Sequence, residues 1–180
     1  SLFAVGGLMK HAEALTSITC STVNSYNGLV PRVGGFEGGT VTWAPTNITY
    51  GHNNRSAQFR LPQNRYCIEN RAADMTMNVY LAFSMTLAAA VEGIKMKIHP
   101  GKPTDQDLYE MTDKEFKKLG IKRLPRNLLM ALEALKNDKL SDEVIGTVMK
   151  NSLLAYKNDE WERYHQAVTD WEVKEYLRLY

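Results

Sequence analysis

Residues 51–71 read GHNNRSAQFRLPQNRYCIENR, and they contain the pattern that says most about the fold. In 56–61, small or apolar residues alternate with polar ones, and 66–71 alternate in the same way. A period of two is typical of half-buried β-strands, whose successive side chains point to opposite faces. The segment therefore predicts two strands, and on the second one Glu69 and Arg71 share a face opposite Ile68.

The same strands carry a concentration of positive charge. The arginines are Arg55, Arg60, Arg65 and Arg71, with Glu69 among them. A guanidinium fork binds phosphate or carboxylate through two hydrogen bonds, and converging forks stabilise the charge of a phosphoryl group in transfer. A solvated sheet face would also explain these arginines. Glu69 is equally consistent with an ion-pair partner and with a magnesium ligand.

The sequence on either side of these strands predicts an α+β fold. Residues 7–18 have helical spacing, 22–28 read as a polar loop, and 31–39 form a glycine-rich turned loop. After Asp74 the pattern is mostly helical. The predicted helices there span about 78–97 and 128–135, a third is capped by Ser141-Asp142-Glu143, and a fourth is capped by Asn158-Asp159-Glu160.

Composition narrows the class of protein. The 180 residues are 44% hydrophobic and carry a net charge of +2, which fits one folded domain and argues against a nucleic-acid partner or a membrane surface. Cys20 and Cys67 lack metal-ligand spacing and are interpreted as free thiols, which favours a cytoplasmic location. Common nucleotide-binding and hydrolase motifs are absent from the sequence, and the histidines occur singly.

A series of short motifs follows one another along the chain. They are Lys10-His11-Ala12, Asn24-Ser25-Tyr26, Leu29-Val30-Pro31, Asn54-Arg55-Ser56, Arg60-Leu61-Pro62, Glu69-Asn70-Arg71, Asn78-Val79-Tyr80-Leu81 and His99-Pro100-Gly101. Their order and spacing resemble the C-terminal half of the glutamine synthetase catalytic domain. The resemblance implies that residues 1–180 are the C-terminal part of such a domain. A loop-and-strand portion, 1–77, would form part of a curved antiparallel sheet, and 78–180 would be helical.

The resemblance also implies roles for individual residues. By this match, Arg55 and Arg60 bind the phosphates of ATP, and Arg55 also acts on the phosphoryl group in transfer. Glu69 binds Mg²⁺ or Mn²⁺. Arg71 and Asn24 bind glutamate, and Glu37 closes a flap over the intermediate. The implied reaction joins ammonia or a small amine to the side-chain carboxylate of glutamate through γ-glutamyl phosphate. The family's assembly into stacked rings implies a homo-oligomer.

Two departures from the family pattern bear on the substrate. A substrate-binding arginine of the family is replaced by Gly28, so Arg32 is a candidate to take over the carboxylate. A second family arginine is replaced by Cys67, with Arg65 as its possible substitute at the phosphates. The loop at 31–39 and the ending 170–177 are most similar to the γ-glutamylmethylamide synthetase branch, which uses methylamine.

Two further expectations follow from the resemblance. Tyr109 lies where some bacterial relatives carry a modified tyrosine, although an ordinary loop tyrosine explains it as well. A single matched glutamate cannot hold two metal ions, so the 180-residue chain is expected not to catalyse synthesis alone. A non-catalytic domain of the same fold is the alternative to the ligase.

Overall fold

The computed structural model describes residues 2–29, 44–106, 108–109, 111–177 and 179, apart from the side chain of Asp113. Arg32 and Glu37 lie outside these ranges, as does the glycine-rich loop predicted at 31–39. Residues 41–43, whose sequence Val-Thr-Trp is typical of a strand, also lie outside them. None of the helices in the described ranges is both long enough and apolar enough to cross a membrane.

Helices account for most of the described chain. They are α1 Leu2–Lys10, α2 Ala12–Thr19, a 3-10 helix Val23–Leu29, α3 Val79–Lys95, α4 Asp113–Leu119, α5 Leu128–Asn137, α6 Lys139–Ile145, α7 Thr147–Gln166 and α8 Asp170–Tyr176. The predictions of α3 and α5 are confirmed. Each begins after an asparagine whose side chain accepts backbone N–H groups of the first turn, Asn78 for α3 and Asn127 for α5.

The two polar clusters predicted to cap helices do not do so. Asp138 caps α6 instead, because its carboxylate accepts the N–H of Ser141. Residues 158–160 lie inside α7, where Asn158 Nδ2 donates to the Leu154 carbonyl at 2.7 Å and Asp159 pairs with Arg163 at 2.8 Å. Polar side chains that satisfy one another along a helix surface produce the same sequence signal as a cap.

The 3-10 helix Val23–Leu29 occupies the segment interpreted as a polar loop, and the sequence did not predict the α-helix α4. Thr112 and Glu115 form a reciprocal capping box at its start, with Glu115 Oε2 accepting the Thr112 N–H at 2.7 Å. The motif Thr-x-x-Glu that produces this cap is visible in the sequence. The seven-residue helix is too short and too rich in lysine to show a clear apolar period.

Four short strands form a mixed sheet in the order β3-β2-β1-β4. The strands are β1 Asn47–Gly51, β2 Ala57–Arg60, β3 Glu69–Asn70 and β4 Lys122–Arg123. The α+β class is confirmed, but the expectation of a purely antiparallel sheet needs correction because β1 and β2 run parallel. The chain returns to the starting end of β1 within residues 52–56, far fewer than the dozen or more of a usual crossover.

A single apolar core joins the helices to one face of the sheet. Its fully buried members include Val5 of α1, Leu15 of α2, Phe59 of β2, Met85 of α3 and Leu128 of α5. Helices α1 and α3 approach unusually closely, since a Cβ added at Gly7 would lie 2.0 Å from the carbonyl oxygen of Ala89. Only glycine fits at such a backbone contact.

A buried ionic network ties the helices together around His11, between α1 and α2. Its side chain is 6% exposed, with Nε2 at 2.6 Å from Glu92 and Nδ1 at 2.6 Å from Asp138. Burial lowers the pKa of His11, but hydrogen bonds to Asp138 and Glu92 outweigh burial and raise the pKa above 6.5. We call this the helix network, and its members are Lys10, His11, Glu92, Asp138, Asp142 and Lys150.

Candidate active site

Glu69 lies between two arginines at the edge of the sheet. The register of β2 and β3 places Arg60 directly opposite Glu69, and Arg60 Nη1 lies 3.3 Å from Glu69 Oε2. Arg65, from the connection between these strands, donates to Glu69 Oε1. The expected convergence of Arg60, Arg65 and Glu69 is therefore observed, and the carboxylate is an ion-pair partner in this structure.

Arg71 lies just beyond β3 and close to the same charges. Its N–H donates to the Gln58 carbonyl at 2.8 Å, which extends the β2–β3 pairing by one residue. The pKa of Arg71 is lowered, chiefly by burial. The positive charges of Arg55 and Arg60 also lower it, whereas Tyr109 and Glu69 act in the opposite direction. Because charges act on a pKa only over short distances, Arg55 and Arg60 lie in the same region as Arg71. We call Arg55, Arg60, Arg65 and Arg71, together with Glu69, the arginine cluster.

The turn 52–56, which joins the two parallel strands, presents Arg55 to solvent. Asn54 is buried beneath it, and its Nδ2 donates to the carbonyls of Thr104 and Gln106, each at 2.8 Å. Asn54 Oδ1 accepts the backbone N–H of Ser56 at 2.8 Å. Arg60 Nε donates to the carbonyl of His52 at 3.2 Å, so the turn and β2 hold each other.

An open cleft of about 560 Å³ borders the cluster on the side of Arg65. Leu61, Pro62 and Ile68 provide apolar lining, while His52 and Arg65 provide polar groups. A cleft with mostly apolar walls and a few polar groups is typical of small-molecule sites. The cleft therefore offers space beside Arg65 for a ligand that carries phosphate.

Asn24, expected to contact substrate, lies exposed in the 3-10 helix. This helix contacts α7, where the Val23 N–H donates to Glu160 at 3.1 Å. The structure thus places Asn24 in an element separate from the strands of the cluster. Arg32 and Glu37 are not described, so their positions relative to the cluster remain predictions.

Sequence reasoning missed the contact between His52 and Asp105. His52 Nδ1 lies 3.1 Å from Asp105 Oδ2, and Asp105 Oδ1 accepts the His52 N–H at 2.6 Å. The partners are 53 residues apart and no local pattern links them. The only available signal was that His52 adjoins the arginine-rich strands.

Glu69 fits the chemistry of one ligand to a divalent cation. Within the described ranges, no group of three or more histidine, cysteine, aspartate or glutamate side chains could hold a metal ion. Mg²⁺ usually retains several waters and binds to one or two carboxylates plus the phosphates of a nucleotide. A single carboxylate among phosphate-binding arginines is compatible with that form of coordination.

Comparison with known proteins identifies the family. Residues 2–176 match the sequence model of the glutamine synthetase catalytic domain. The chain belongs to the glutamine synthetase family. The resemblance of the motifs is thereby confirmed across nearly the whole chain.

Relatives with two different names are almost equally similar to this member of the family. It is 41% identical over 176 residues to the glutamine synthetase of Methanocaldococcus jannaschii. This alignment covers 96% of the chain and 37% of the relative. It is 42% identical over 174 residues to the glutamate–methylamine ligase of Methyloversatilis universalis. This alignment covers 97% of the chain and 38% of the relative. The chain thus spans less than two-fifths of either relative.

Solved structures agree with this assignment. A structure described as a GmaS/ADP complex aligns with a TM-score of 0.82 and 34% identity, covering 98% of this chain and 39% of that protein. GmaS without ligand aligns with a TM-score of 0.78 and 33% identity. The glutamine synthetase fold is therefore shared with these proteins.

Proposed function

We propose that the chain supplies the phosphate-binding side of an ATP-dependent ligase that joins ammonia or a small amine to the side-chain carboxylate of glutamate. The observation that carries this proposal is the arginine cluster, in which Arg60 and Arg65 flank Glu69 and Arg55 and Arg71 lie close by. Four cations and only one carboxylate belong to this cluster, so it suits a ligand with several negative charges.

The reaction would proceed in two steps. A side-chain carboxylate oxygen of glutamate attacks the γ-phosphorus of ATP, and the bond to the ADP oxygen breaks. The amine nitrogen then attacks the acyl carbon of γ-glutamyl phosphate, inorganic phosphate leaves, and the nitrogen loses a proton. Negative charge develops on phosphate oxygens in the first step, and fixed guanidinium groups stabilise such charge without having to reorganise.

Individual residues of the chain would divide this work. Arg60 and Arg65 would hold the phosphates of ATP, Arg55 would reach the phosphoryl group in transfer, and Arg71 would orient the glutamate. Glu69 would turn from its arginine partners to a bound Mg²⁺ or Mn²⁺, which offsets phosphate charge when present. The remaining proposed contributors are Asn24 and Arg32 for glutamate and Glu37 for excluding water.

For the amine, we propose methylamine, with ammonia as the alternative. The support is the similarity to the Methyloversatilis universalis ligase and to the GmaS structures, together with the loop at 31–39. The nearly equal identity to a glutamine synthetase keeps ammonia as the second acceptor to test. A homo-oligomer is proposed from membership of the family.

The test is amine-dependent release of ADP by the whole protein supplied with glutamate, ATP and Mg²⁺. Activity is expected with methylamine above ammonia, and Glu69→Ala is expected to lower it about a hundredfold or more through loss of a metal ligand. Glu162→Ala, which removes an exposed carboxylate on α7, is the matched control and should retain full activity. A strong preference for ammonia would exclude the methylamine assignment, and no ADP release with either amine would favour a non-catalytic domain.

A further inference from the structure

The turn 52–56 connects parallel strands without the usual long crossover, so its shape has to be fixed by other parts of the chain. Thr104, Asp105, Gln106 and Leu108 fix it. Thr104 N–H donates to the Tyr50 carbonyl at 2.8 Å, and Leu108 N–H donates to Ser56 Oγ at 3.3 Å. The turn is therefore held at both ends by a segment about 50 residues later in the sequence.

Asp105 holds the middle of the turn through the backbone. Its Oδ1 accepts the N–H of His52 at 2.6 Å and faces the N–H of Asn53 at 3.4 Å. Burial raises the pKa of Asp105, but hydrogen bonds from the side chain and backbone of His52 outweigh it and lower the pKa below 3.8. The carboxylate is thus ionised at neutral pH, when charge-assisted bonds to backbone N–H groups are strong.

Gly51 allows Asp105 to come this close. A Cβ added at Gly51 would lie 2.6 Å from the carbonyl oxygen of Thr104 and 2.8 Å from Asp105 Oδ1. Such distances are shorter than any ordinary van der Waals contact, so a side chain would push the 104–105 segment away. Glycine is therefore required at the end of β1 for a steric reason that involves Asp105.

The contacts of Asp105 with the turn also affect the arginines proposed to bind phosphate. His52 is held by Asp105 through its N–H, and its carbonyl accepts Arg60 Nε at 3.2 Å. Arg55 projects from the same turn, three residues after His52. A shift of the His52–Asn54 backbone would therefore move Arg55 and remove a fixed partner of Arg60.

We infer that Asp105 is a positioning residue for phosphate binding: with Gly51, it fixes the turn that aims Arg55 and Arg60 at the phosphates of ATP. The inference rests on the proposed function, because it assigns those arginines to ATP. Asp105 itself is directed at the turn and need not touch the nucleotide. Its removal should therefore weaken binding in proportion to the number of phosphates that the arginines hold.

The experiment measures binding of ATP, ADP and AMP, each with Mg²⁺, to the whole protein and to Asp105→Ala, Asp105→Asn and Gly51→Ala. Asp105→Ala should weaken ATP about threefold to tenfold, a loss of the size expected for charge-assisted hydrogen bonds, and AMP by less than about twofold. Asp105→Asn, whose side-chain oxygen still accepts both N–H groups, should stay within about twofold of wild type for ATP. Gly51→Ala should reproduce the phosphate-dependent loss.

Asp159→Ala is the control. It also removes an exposed aspartate with a cationic partner, Arg163 at 2.8 Å, but Asp159 lies on α7 and not at the turn 52–56. Equal weakening of all three nucleotides by Asp105→Ala, or unchanged binding of ATP, would overturn the inference. If Asp105→Ala does not fold, the same comparison of nucleotides in Gly51→Ala and Asp105→Asn decides. Failure of the wild-type protein to bind ATP would instead count against the proposed function.

Discussion

The arginine cluster and the helix network are both built from charged residues, but their charge balance differs. In the helix network, three cationic side chains meet three carboxylates, and Lys150 and His11 are almost fully buried. The arginine cluster has four arginines and one glutamate. Arg60 and Arg65 pair with Glu69, and Arg65 also lines an open cleft. In a balanced, buried network each charge needs its partner, because removal of one partner leaves an uncompensated buried charge. An excess of one sign beside a cleft is instead suited to a charged ligand.

The largest expected effect that separates the two regions is on activity. Arg60→Ala should lower amine-dependent ADP release by the whole protein about 100- to 1,000-fold, since a fixed donor to developing charge is lost. The free energy of unfolding should change by only about 1 kcal/mol, because the partly exposed side chain loses one hydrogen bond to His52 and one ion pair with Glu69. Steady-state kinetics and urea unfolding provide the two measurements.

Arg163→Ala is the matched control for that variant. Arg163 is exposed and pairs only with Asp159 among the contacts described, so both activity and stability should match wild type. Full activity in Arg60→Ala would mean that the excess of arginine is an ordinary solvated surface.

The next effect is on stability and belongs to the helix network. His11→Ala leaves Glu92 and Asp138 without the cation that bridges them, and breaking such a buried pair should cost about 2–3 kcal/mol of unfolding free energy. Urea unfolding measures this cost. Nucleotide affinity of the folded variant should remain near wild type, and a selective loss of ATP binding would contradict the division between the two regions.

The smallest effect is a pH dependence of stability that arises in the helix network. The pKa of His11 is raised in the folded protein, so its stabilising contribution is complete below about 6.5 and is lost as pH rises through the higher folded value. The pKa values of Glu92 and Asp138 are lowered, so their contributions are lost only as pH falls through those values. Stability should therefore be greatest at weakly acidic pH.

The measurement is urea unfolding of wild type and His11→Gln from pH 5.5 to 9. The difference in unfolding free energy between them should shrink as pH rises past the raised pKa. A constant difference over this range would show that the pKa of His11 is not raised by folding.

Local patterns predicted the parts of the molecule that depend on neighbouring residues. Alternation located β2 and β3, and the helical pattern after Asp74 located α3 and α5. The predicted proximity of Arg60, Arg65 and Glu69 was correct, because two adjacent strands and the short connection between them carry these residues. The predicted direction of β2 relative to β1 was wrong. A short connection normally joins antiparallel strands, but these two strands are parallel.

Contacts between distant segments could not be predicted in the same way. Asp105 meets His52 across 53 residues, and Asp138 meets His11 across 127 residues. Each histidine looks isolated in the sequence, and its partner carboxylate looks like an ordinary surface residue. Only the packing of the helices and the path of residues 104–106 bring these groups together.

The short parallel connection between β1 and β2 also constrains the order of folding. Its stabilising partners, Thr104, Asp105 and Gln106, are synthesised about 50 residues after the turn. Closing so long a loop costs chain entropy, and contacts of high sequence separation form late. During translation the β1–β2 turn must therefore wait, incompletely formed, until α3 has been made and the segment after it has emerged from the ribosome.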